Sequence, residues 1–304
     1  MVTYTKESRL GFIGAGVVGG TIAVALSNAG YKVATVASRT FSSASLFASR
    51  LPGCQALTGL QEVVDAADFV FITTSDDAIG PVCASLTWRP GQGLAHCSGA
   101  ASVDVLQHAS DQGAGTGAFH PLQAFNSVEN GIGAVPGTTF GIEGGQKTRA
   151  YLSELATAIG GKPIFLRPED KVLYHVSGVL MGNLLTVLGS VAASVWTKFG
   201  YTRDDGVRAL APMMRAVAAN LEASGVPQAV AGPYPRGDIG TIRKHLDAVS
   251  ADASEYLPLY CELALAGLPF AVEKGALGPE RAQEIRELVG RYATPGRFHA
   301  KVGD

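Results

Sequence analysis

A short apolar segment followed by closely spaced glycines constrains this sequence most. Residues 10–20 read Leu-Gly-Phe-Ile-Gly-Ala-Gly-Val-Val-Gly-Gly, and an apolar run at helical spacing follows. This order predicts a strand, a tight turn and a helix. Gly14 allows the chain to turn, Gly16 allows a pyrophosphate to approach the backbone, and Gly19 allows the helix to pack closely on the strand. Because unpaired N–H groups at the start of a helix bind phosphate, the segment predicts a dinucleotide site. A glycine turn without a ligand is the alternative.

Strand and helix patterns alternate through the first half of the chain and then stop. The run Asp-Phe-Val-Phe-Ile-Thr at residues 68–73 is typical of a parallel strand that is buried on both faces. Further strands are predicted at residues 32–37, 54–57, 93–97, 117–120, 139–143 and 162–166. From Pro168 onwards the sequence predicts helices alone, at residues 169–199, 203–224, 238–248, 251–266 and 279–292. The predicted fold class is therefore α/β, with a doubly wound Rossmann-type parallel sheet in residues 1–167 and an all-helical domain in residues 168–304.

Composition and charge argue against several classes of function. The net charge is −2, and Lys and Arg are scattered, so no basic patch for nucleic acid is expected. The four Cys lie far apart without a CxxC pair, which predicts neither a metal site nor a disulfide framework and favours the reducing cytoplasm. The first residues lack the apolar segment of a signal peptide, so we expect none.

One stretch resembles a membrane span in length. Residues 172–197 contain no Asp, Glu, Lys or Arg, and 18 or more apolar residues are about enough to cross a bilayer. The stretch also carries His175, Asn183 and several hydroxyl side chains, which are costly in lipid. A helix buried between two domains is therefore the favoured interpretation, with a membrane helix as the alternative.

The residue about 20 positions after the glycines indicates which dinucleotide binds. In NAD-binding sites an acidic side chain there holds the ribose hydroxyls. This sequence has Arg39 between two hydroxyl residues and no carboxylate. Because a guanidinium pairs well with a phosphate, we predict NADP rather than NAD, with a solvated surface arginine as the alternative. The predicted cofactor-binding residues are Gly14, Ala15, Gly16, Val17, Val18, Gly19, Ser38, Arg39, Thr40, Thr74 and Ser75.

Several polar motifs follow in a defined order. They are Ala-His-Cys-Ser-Gly at residues 95–99, Phe-His-Pro-Leu-Gln at 119–123, Tyr-His at 174–175 with Asn183, and Gly-Pro-Tyr-Pro-Arg-Gly-Asp at 232–238. Together they resemble a bacterial oxidoreductase family that couples a Rossmann-like domain to a helical C-terminal domain of formerly unknown function. That family is similar to pyrroline-5-carboxylate reductases and, more distantly, to 6-phosphogluconate and β-hydroxyacid dehydrogenases.

The resemblance implies an NADP-dependent oxidoreductase. It also implies a C-terminal domain of the 6-phosphogluconate dehydrogenase type, which carries substrate contacts and mediates a homodimer, and some members of the family are ketopantoate reductases. The dehydrogenase relatives use a Lys and an Asn one helical turn apart. Asn183 matches the Asn, but Val179 occupies the position of the Lys, so a lysine-based mechanism is not implied here.

Two histidines are candidates for the proton donor that hydride transfer to C=O or C=N requires. His120 follows a predicted strand and precedes Pro121, which places it at the carboxyl edge of the sheet. His175 lies two turns before Asn183, about 12 Å along a helix and within about 80° of the same face. We predict His120 or His175 as the proton donor and Asn183 as an orienting group, with hydrogen-bonded core histidines as the alternative.

Three further residues are candidates for substrate binding. His96 and Ser98 follow a predicted strand, although a structural hydroxyl is nearly as good an explanation of Ser98. Arg236 could bind a substrate carboxylate, within its own subunit or across a dimer, but an ion pair and a helix N-cap that fix the turn, with Asp238, are the favoured interpretation.

The leading functional hypothesis is NADPH-dependent reduction of a small 2-oxo acid, with ketopantoate as a specific candidate. The alternatives are a pyrroline-5-carboxylate-type imine reductase and a non-catalytic NADP-binding sensor. The set of titratable groups favours an enzyme over a sensor. A small molecule and a second copy of the chain are the expected partners, and neither nucleic acid nor a membrane is.

Overall fold

The computed structural model describes residues 4–293, and the chain divides into two compact units. The first unit is Met1–Asn183 and the second is Leu184–Asp304. The last strand ends at Phe165, and Pro168 begins a short 3-10 turn. The change from strands to helices thus lies where the sequence predicts it. The first compact unit continues past the predicted boundary at Arg167, since it includes the helix that follows.

An eight-stranded sheet forms the centre of the first unit. Its strands are β1 (Arg9–Ile13), β2 (Lys32–Ala37), β3 (Gln55–Ala56), β4 (Phe69–Ile72), β5 (Gly93–His96), β6 (Gly115–Pro121), β7 (Thr139–Gly144) and β8 (Lys162–Phe165). Their order is β3-β2-β1-β4-β5-β6-β7-β8, and β1 to β6 are all parallel. The first six strands thus follow the order of a dinucleotide-binding sheet, which confirms the predicted Rossmann-type α/β fold.

One pairing differs from the predicted parallel sheet. β7 runs antiparallel to β6, with His120 opposite Gly141 and Pro121 opposite Phe140. A parallel pair needs a crossover that returns the chain to the far edge of the sheet. Between β6 and β7 the described chain forms one short helix, Val128–Ala134, which packs on the first helix of the unit. β7 therefore starts at the same end of the sheet at which β6 finishes.

The helices of the first unit flank the sheet or follow it. They are α1 (Val17–Asn28), α2 (Phe41–Ala48), α3 (Leu60–Ala66), α4 (Asp76–Ala84), α5 (Gln107–Asp111), α6 (Val128–Ala134), α7 (Gln146–Ala158) and α8 (Lys171–Val179). A π-helical segment, Leu180–Leu184, follows α8 directly. The sequence does not predict α6, because its two glycines lower helix propensity.

Apolar residues cover both faces of the sheet. Along β4, Phe69 and Phe71 belong to one buried cluster, whereas Val70 and Ile72 belong to the other. On the first face the ring of Phe71 stacks on that of Phe12 with centroids 5.0 Å apart. Since neighbouring side chains of a strand point to opposite faces, this arrangement confirms the strand that the continuous apolar run predicts.

The two edges of the sheet are β3, which has two residues, and β8. Lys162 and the residue after β8, Leu166, donate their N–H groups to carbonyl oxygens at the β7 side, at 2.8 and 2.9 Å. Because alternate residues of a strand direct their backbone groups to opposite sides, Pro163 occupies a position that faces away from β7.

The second unit is helical. Its helices are α9 (Leu185–Val195), α10 (Arg203–Ser224), α11 (Ile239–Asp252), α12 (Leu257–Glu273) and α13 (Pro279–Gly290). α11, α12 and α13 enclose a core that includes Leu246, Cys261 and Ile285. The helix predicted at residues 251–266 begins later, at Leu257, because a 3-10 turn over Ser254–Tyr256 precedes it.

The long apolar stretch is mostly exposed. In the part of the chain that the structure describes, Pro168–Phe199 is the one helical stretch long and apolar enough to cross a membrane, and 6% of its most apolar window is buried. Leu173 is 75% exposed, and Met181 is 62% exposed. The sequence predicts a helix buried between two domains, and in the single chain this helix is instead mostly exposed.

Candidate functional site

The glycine turn between β1 and α1 has the geometry that its sequence predicts. Gly14 has a φ of +106°, and a Cβ atom there would lie 2.7 Å from the backbone of Thr73. A Cβ atom on Gly19 would collide with the Thr73 side chain, whose hydroxyl donates to the Gly14 carbonyl at 2.8 Å. These contacts confirm the structural roles of Gly14 and Gly19. Gly16 has open space at its Cβ position, where the nearest atom is 3.9 Å away.

A cavity of about 490 Å³ adjoins this turn, and we call it the dinucleotide cavity. The predicted cofactor residues that line it are Gly14, Ala15, Gly16, Ser38, Arg39, Thr74 and Ser75. Arg39 is exposed. Leu60, Ala78 and Val82 add an apolar wall that sequence reasoning missed, because they belong to α3 and α4 rather than to the motif.

Four other predicted cofactor residues are not among the lining residues of this cavity. Val17, Val18 and Gly19 form the first turn of α1. The Thr40 hydroxyl lies 2.7 Å from the Ser43 hydroxyl, at the start of α2. Cofactor contacts by these four residues stay a prediction.

A second cavity, of about 400 Å³, brings together the three predicted catalytic residues, and we call it the histidine cavity. Its lining includes His120, Leu122, Gln123, His175, Val179 and Asn183. The rings of His120 and His175 are nearly perpendicular, at 85°, with centroids 5.8 Å apart. Both lie within the first compact unit.

His120 is held in a neutral state by its surroundings. Its Nδ1 lies 3.0 Å from the Tyr174 hydroxyl. Burial, together with the charges of His175 and Lys171, lowers the pKa of His120 to about 4. When the tyrosine hydroxyl donates to Nδ1, Nε2 carries the imidazole proton. His120 is therefore suited to donate a hydrogen bond at neutral pH rather than to act as an imidazolium acid.

Gly99 lies directly against both histidines. A Cβ atom at this position would be 2.7 Å from His120 Nε2 and 2.9 Å from His175 Nε2. The absence of a side chain thus allows the two rings to approach the turn after β5. Sequence reasoning did not single out Gly99, although it ends the Ala-His-Cys-Ser-Gly motif.

Asn183 belongs to the π-helical segment. Such segments are rare and occur often at functional sites. An unbroken α-helix would place His175 and Asn183 within about 80° of the same face, and the π-helical segment that follows α8 changes that angle. Both residues nevertheless line the histidine cavity.

A buried ion pair lies behind this site. Lys171 Nζ is 3.0 Å from Glu143 Oε1, and the two side chains are 0% and 1% exposed. The second carboxylate oxygen of Glu143 accepts the N–H of Val103 at 3.0 Å. Burial lowers the pKa of Lys171 despite the opposing effect of Glu143. The sequence did not indicate this pair, because a lysine at the start of a helix is usually exposed.

His96 and Ser98 have structural partners. His96 is fully buried, its Nε2 lies 3.1 Å from the Ser102 carbonyl oxygen, and its Nδ1 accepts the N–H of Ser98 at 3.1 Å. Burial lowers the pKa of His96 to about 3. The Ser98 hydroxyl donates to Asp76 at 2.7 Å. The geometry supports the structural alternative for both residues, and their predicted contacts with a substrate stay a prediction.

Arg236 lies in the helical unit and is exposed. Asp238 caps α11, since its carboxylate accepts the N–H and the hydroxyl of Thr241 at 3.0 and 2.8 Å. The N-cap that the sequence offered as an alternative is thus confirmed. In residues 4–293, no group of three or more His, Cys, Asp or Glu side chains is arranged to hold a metal ion.

Two family models match the chain. One is described as a Rossmann-like domain and matches residues 4–121, and the other is described as a domain of unknown function, DUF2520, and matches residues 138–266. The combination is the one that the polar motifs predict. No curated protein matches the sequence.

Several solved structures share the fold. A candidate NADP oxidoreductase from Bacteroides fragilis is 23% identical, with a TM-score of 0.71 over 87% of this chain and 99% of its own. A reductive aminase from Aspergillus terreus, solved with NADPH, is 18% identical, with a TM-score of 0.60 over 97% of each chain. The 1-pyrroline-5-carboxylate reductase of Streptococcus pyogenes is 14% identical, with a TM-score of 0.57 over 95% of this chain and 99% of its own. The chain has the fold that these oxidoreductases share.

Proposed function

Because this chain joins a Rossmann-like domain to a DUF2520 domain, we propose that it is an NADPH-dependent oxidoreductase that reduces a C=O or C=N bond of a small molecule. The observation that carries the proposal is that His120, His175 and Asn183 line one cavity of the compact unit that also holds the glycine turn. A sensor that only binds the nucleotide does not need such a convergence of titratable groups.

The dinucleotide cavity fits NADP. The open Gly16 backbone and the start of α1 suit a pyrophosphate, and the apolar wall around Leu60 and Val82 suits an adenine ring. The exposed Arg39 guanidinium, with Ser38 beside it, suits a 2′-phosphate, and no carboxylate lines the cavity.

Replacement of Arg39 by Gln tests the cofactor assignment. We expect NADPH to bind about 10- to 100-fold more weakly, because a charge-assisted hydrogen bond contributes about 1.5–3 kcal/mol. NADH binding, titrated in parallel, should not change. Tighter binding of NADH than of NADPH by the unmodified protein would contradict the assignment.

The chemistry then divides between the two histidines. When bound, NADPH supplies a hydride to the carbonyl or imine carbon. The chain must position the substrate and deliver one proton to the oxygen or nitrogen atom. In the tautomer in which the Tyr174 hydroxyl donates to Nδ1, His120 Nε2–H donates a hydrogen bond to that atom, and the low pKa of His120 keeps its ring neutral at pH 7. His175, which is only partly buried and lies against His120, delivers the proton, and the Asn183 amide orients the substrate.

Variants of the two histidines test this division. We expect His175→Gln to lower kcat about 10²- to 10⁴-fold, as loss of a general acid does, while NADPH affinity is unchanged. His245→Gln is the matched control, because His245 is exposed and pairs with Tyr260 in the helical unit. Unchanged turnover in both His120→Gln and His175→Gln would refute the assignment. Stabilisation by NADP without turnover of any carbonyl or imine would favour the sensor.

The sequence-based candidate for the substrate is a 2-oxo acid such as ketopantoate, and the second candidate is a cyclic imine of the pyrroline-5-carboxylate type. Both are C=O or C=N compounds that one hydride and one proton reduce. A panel of oxo acids, oxo esters and imines, followed by NADPH absorbance, distinguishes them.

A homodimer is proposed as the assembly. Apolar side chains of Pro168–Phe199 and α10 are exposed in the single chain, among them Leu173, Val187 and Met213. A second copy would bury them, whereas a membrane would have to accept the polar groups of the same helix. Sedimentation of the purified protein tests this, and recovery only with lipid vesicles would contradict it. A cytoplasmic location is proposed from the free cysteines.

A further inference from the structure

We propose that Tyr174 is a positioning residue, which fixes the His120 ring in the tautomer that directs an Nε2–H group into the histidine cavity. A neutral imidazole holds its proton on either of its two nitrogen atoms, and only one of these forms can donate from Nε2. The inference rests on the proposed function, in which His120 donates a hydrogen bond to the atom that accepts the proton. The sequence singles out Tyr174 only as the neighbour of His175.

The tyrosine hydroxyl has one proton and two acceptors close by, both on His120. Nδ1 lies 3.0 Å from the hydroxyl oxygen, whereas the backbone carbonyl oxygen of His120 lies 3.5 Å from it. The longer distance is beyond the usual range of an O–H···O hydrogen bond, so the distances assign the hydroxyl proton to the contact with Nδ1. An Nδ1 atom that accepts a hydrogen bond leaves the ring proton on Nε2.

Both partners have the protonation state that this arrangement needs at neutral pH. Burial raises the pKa of Tyr174 to about 12, so its hydroxyl keeps the proton that it donates. Burial is also the largest cause that lowers the pKa of His120 to about 4, and the charges of His175 and Lys171 act in the same direction. The His120 ring therefore carries a single proton, and its hydrogen bonds decide which nitrogen atom holds it.

The backbone of the sheet gives the hydroxyl its place beside His120. The rings of Tyr174 and His120 meet at 88°, with centroids 5.5 Å apart. Gly141 lies opposite His120 in the β6–β7 pair, and a Cβ atom on Gly141 would be 2.9 Å from the Tyr174 hydroxyl oxygen. The absence of a side chain at Gly141 thus allows the hydroxyl to lie against the strand that carries His120.

The next residue of α8 lies near the other nitrogen atom of the same ring. A Cβ atom on Gly99 would be 2.7 Å from His120 Nε2 and 2.9 Å from His175 Nε2, so the two Nε2 atoms cannot be further apart than these two distances combined. Because Tyr174 occupies Nδ1, Nε2 is the His120 nitrogen that remains for a substrate in the histidine cavity. It lies next to the ring that we propose as the proton donor.

Nitrogen NMR of the full-length protein tests the tautomer directly, because ring nitrogens with and without a proton resonate at clearly different positions. The His120 signals are identified by their loss in His120→Gln. At pH 7 we expect a protonated Nε2 and an unprotonated Nδ1 in the unmodified protein. In Tyr174→Phe the ratio of the two tautomers should shift about 2- to 10-fold towards Nδ1–H, which is the bias that one net hydrogen bond gives an equilibrium.

Steady-state kinetics with NADPH separates positioning from a purely structural effect. We expect kcat of Tyr174→Phe to fall in proportion to the lost share of the Nε2–H form, while NADPH affinity is unchanged. Tyr260→Phe is the matched control, because the Tyr260 hydroxyl lies 2.9 Å from His245 Nδ1 in the helical unit. It removes the same kind of hydrogen bond but should alter neither kcat nor the His120 signals.

Three results would overturn the inference. One is a proton on Nδ1 of His120 in the unmodified protein, a measurement that does not depend on whether Tyr174→Phe folds. Another is an unchanged tautomer ratio in Tyr174→Phe, and the third is an unchanged kcat although the ratio has shifted. If NADPH binds but no carbonyl or imine compound is reduced, the proposed function fails, whereas the NMR measurements still decide the role of Tyr174.

Discussion

Removal of one charge from the buried ion pair should destabilise the first unit strongly. Glu143→Gln keeps an oxygen that can accept the N–H of Val103, but it leaves the Lys171 ammonium without a counter-charge. Both side chains are almost completely buried, so water cannot replace the lost partner.

The structure gives the expected size of this loss. At 3.0 Å and an effective dielectric constant of about 20, Coulomb's law gives roughly 5.5 kcal/mol for the pair. Measured losses on breaking buried pairs are about 3–5 kcal/mol, and we expect a value in that range. Lys171→Met combined with Glu143→Gln should lose less than Glu143→Gln alone, because no unpaired ammonium remains.

Tryptophan fluorescence can report on the first unit by itself. The chain has two Trp, of which Trp88 is buried in the first unit and Trp196 lies in the second. In a Trp196→Phe background, urea unfolding followed through Trp88 gives the free energy of unfolding of the first unit. Lys32→Met is the matched control, because Lys32 pairs with Glu7 at 2.6 Å but on the surface, and it should cost less than about 1 kcal/mol.

Two results would refute the reasoning. One is a loss below about 1 kcal/mol for Glu143→Gln, which would mean that the ammonium finds water or another partner. The other is additivity of the two single replacements in the double variant, which would mean that the charges do not interact.

Three further changes have defined outcomes. Gly99→Ala should lower kcat/KM about 100-fold without changing NADPH affinity, because its methyl group must displace the His120 and His175 rings, and normal turnover would contradict this. Gly14→Ala should weaken NADPH binding at least about 10-fold in a fluorescence titration. The reasons are that a φ of +106° costs an L-residue about 1–2 kcal/mol and that the methyl group would collide with the backbone of Thr73. Unchanged binding would contradict this. His96 has a pKa of about 3 in the folded state against 6.5 in the unfolded state, so the unfolded chain gains its proton first and stability falls as the pH drops through this range. Between pH 6.5 and 4.5 this corresponds to about 2 kcal/mol, which His96→Gln should remove from the measured pH dependence of unfolding.

Local patterns were sufficient to predict most of the fold. The apolar run of β4 and the glycines at 14 and 19 predict their structures from composition alone. Burial on both faces requires consecutive apolar residues, and a tight turn with close packing requires residues without a side chain. The direction of β7 could not be predicted in this way. It depends on whether the chain crosses back between two strands, and the short helix α6, with its two glycines, gives a weak signal.

The candidate site was predicted only in part, for a similar reason. His120, His175 and Asn183 stand in recognisable positions of their motifs, and they do line one cavity. Gly99 and Lys171 act through long-range packing, which spacing along the chain does not reveal. For His96 the sequence left two interpretations open, since a histidine at the end of a strand is equally typical of a buried structural residue, and its burial and hydrogen bonds support that alternative.

The outer strand β8 has a consequence for how copies of this chain can associate. Open sheet edges invite other chains to pair with them, and short strands, Lys and Pro are the usual protection. β8 has four residues, begins with Lys162, and lacks one outward N–H at Pro163, while the opposite edge is only two residues long. Neither edge is a good template for a continued sheet. Self-association through strand pairing, and the aggregation that it can start, should therefore be suppressed even at high protein concentration.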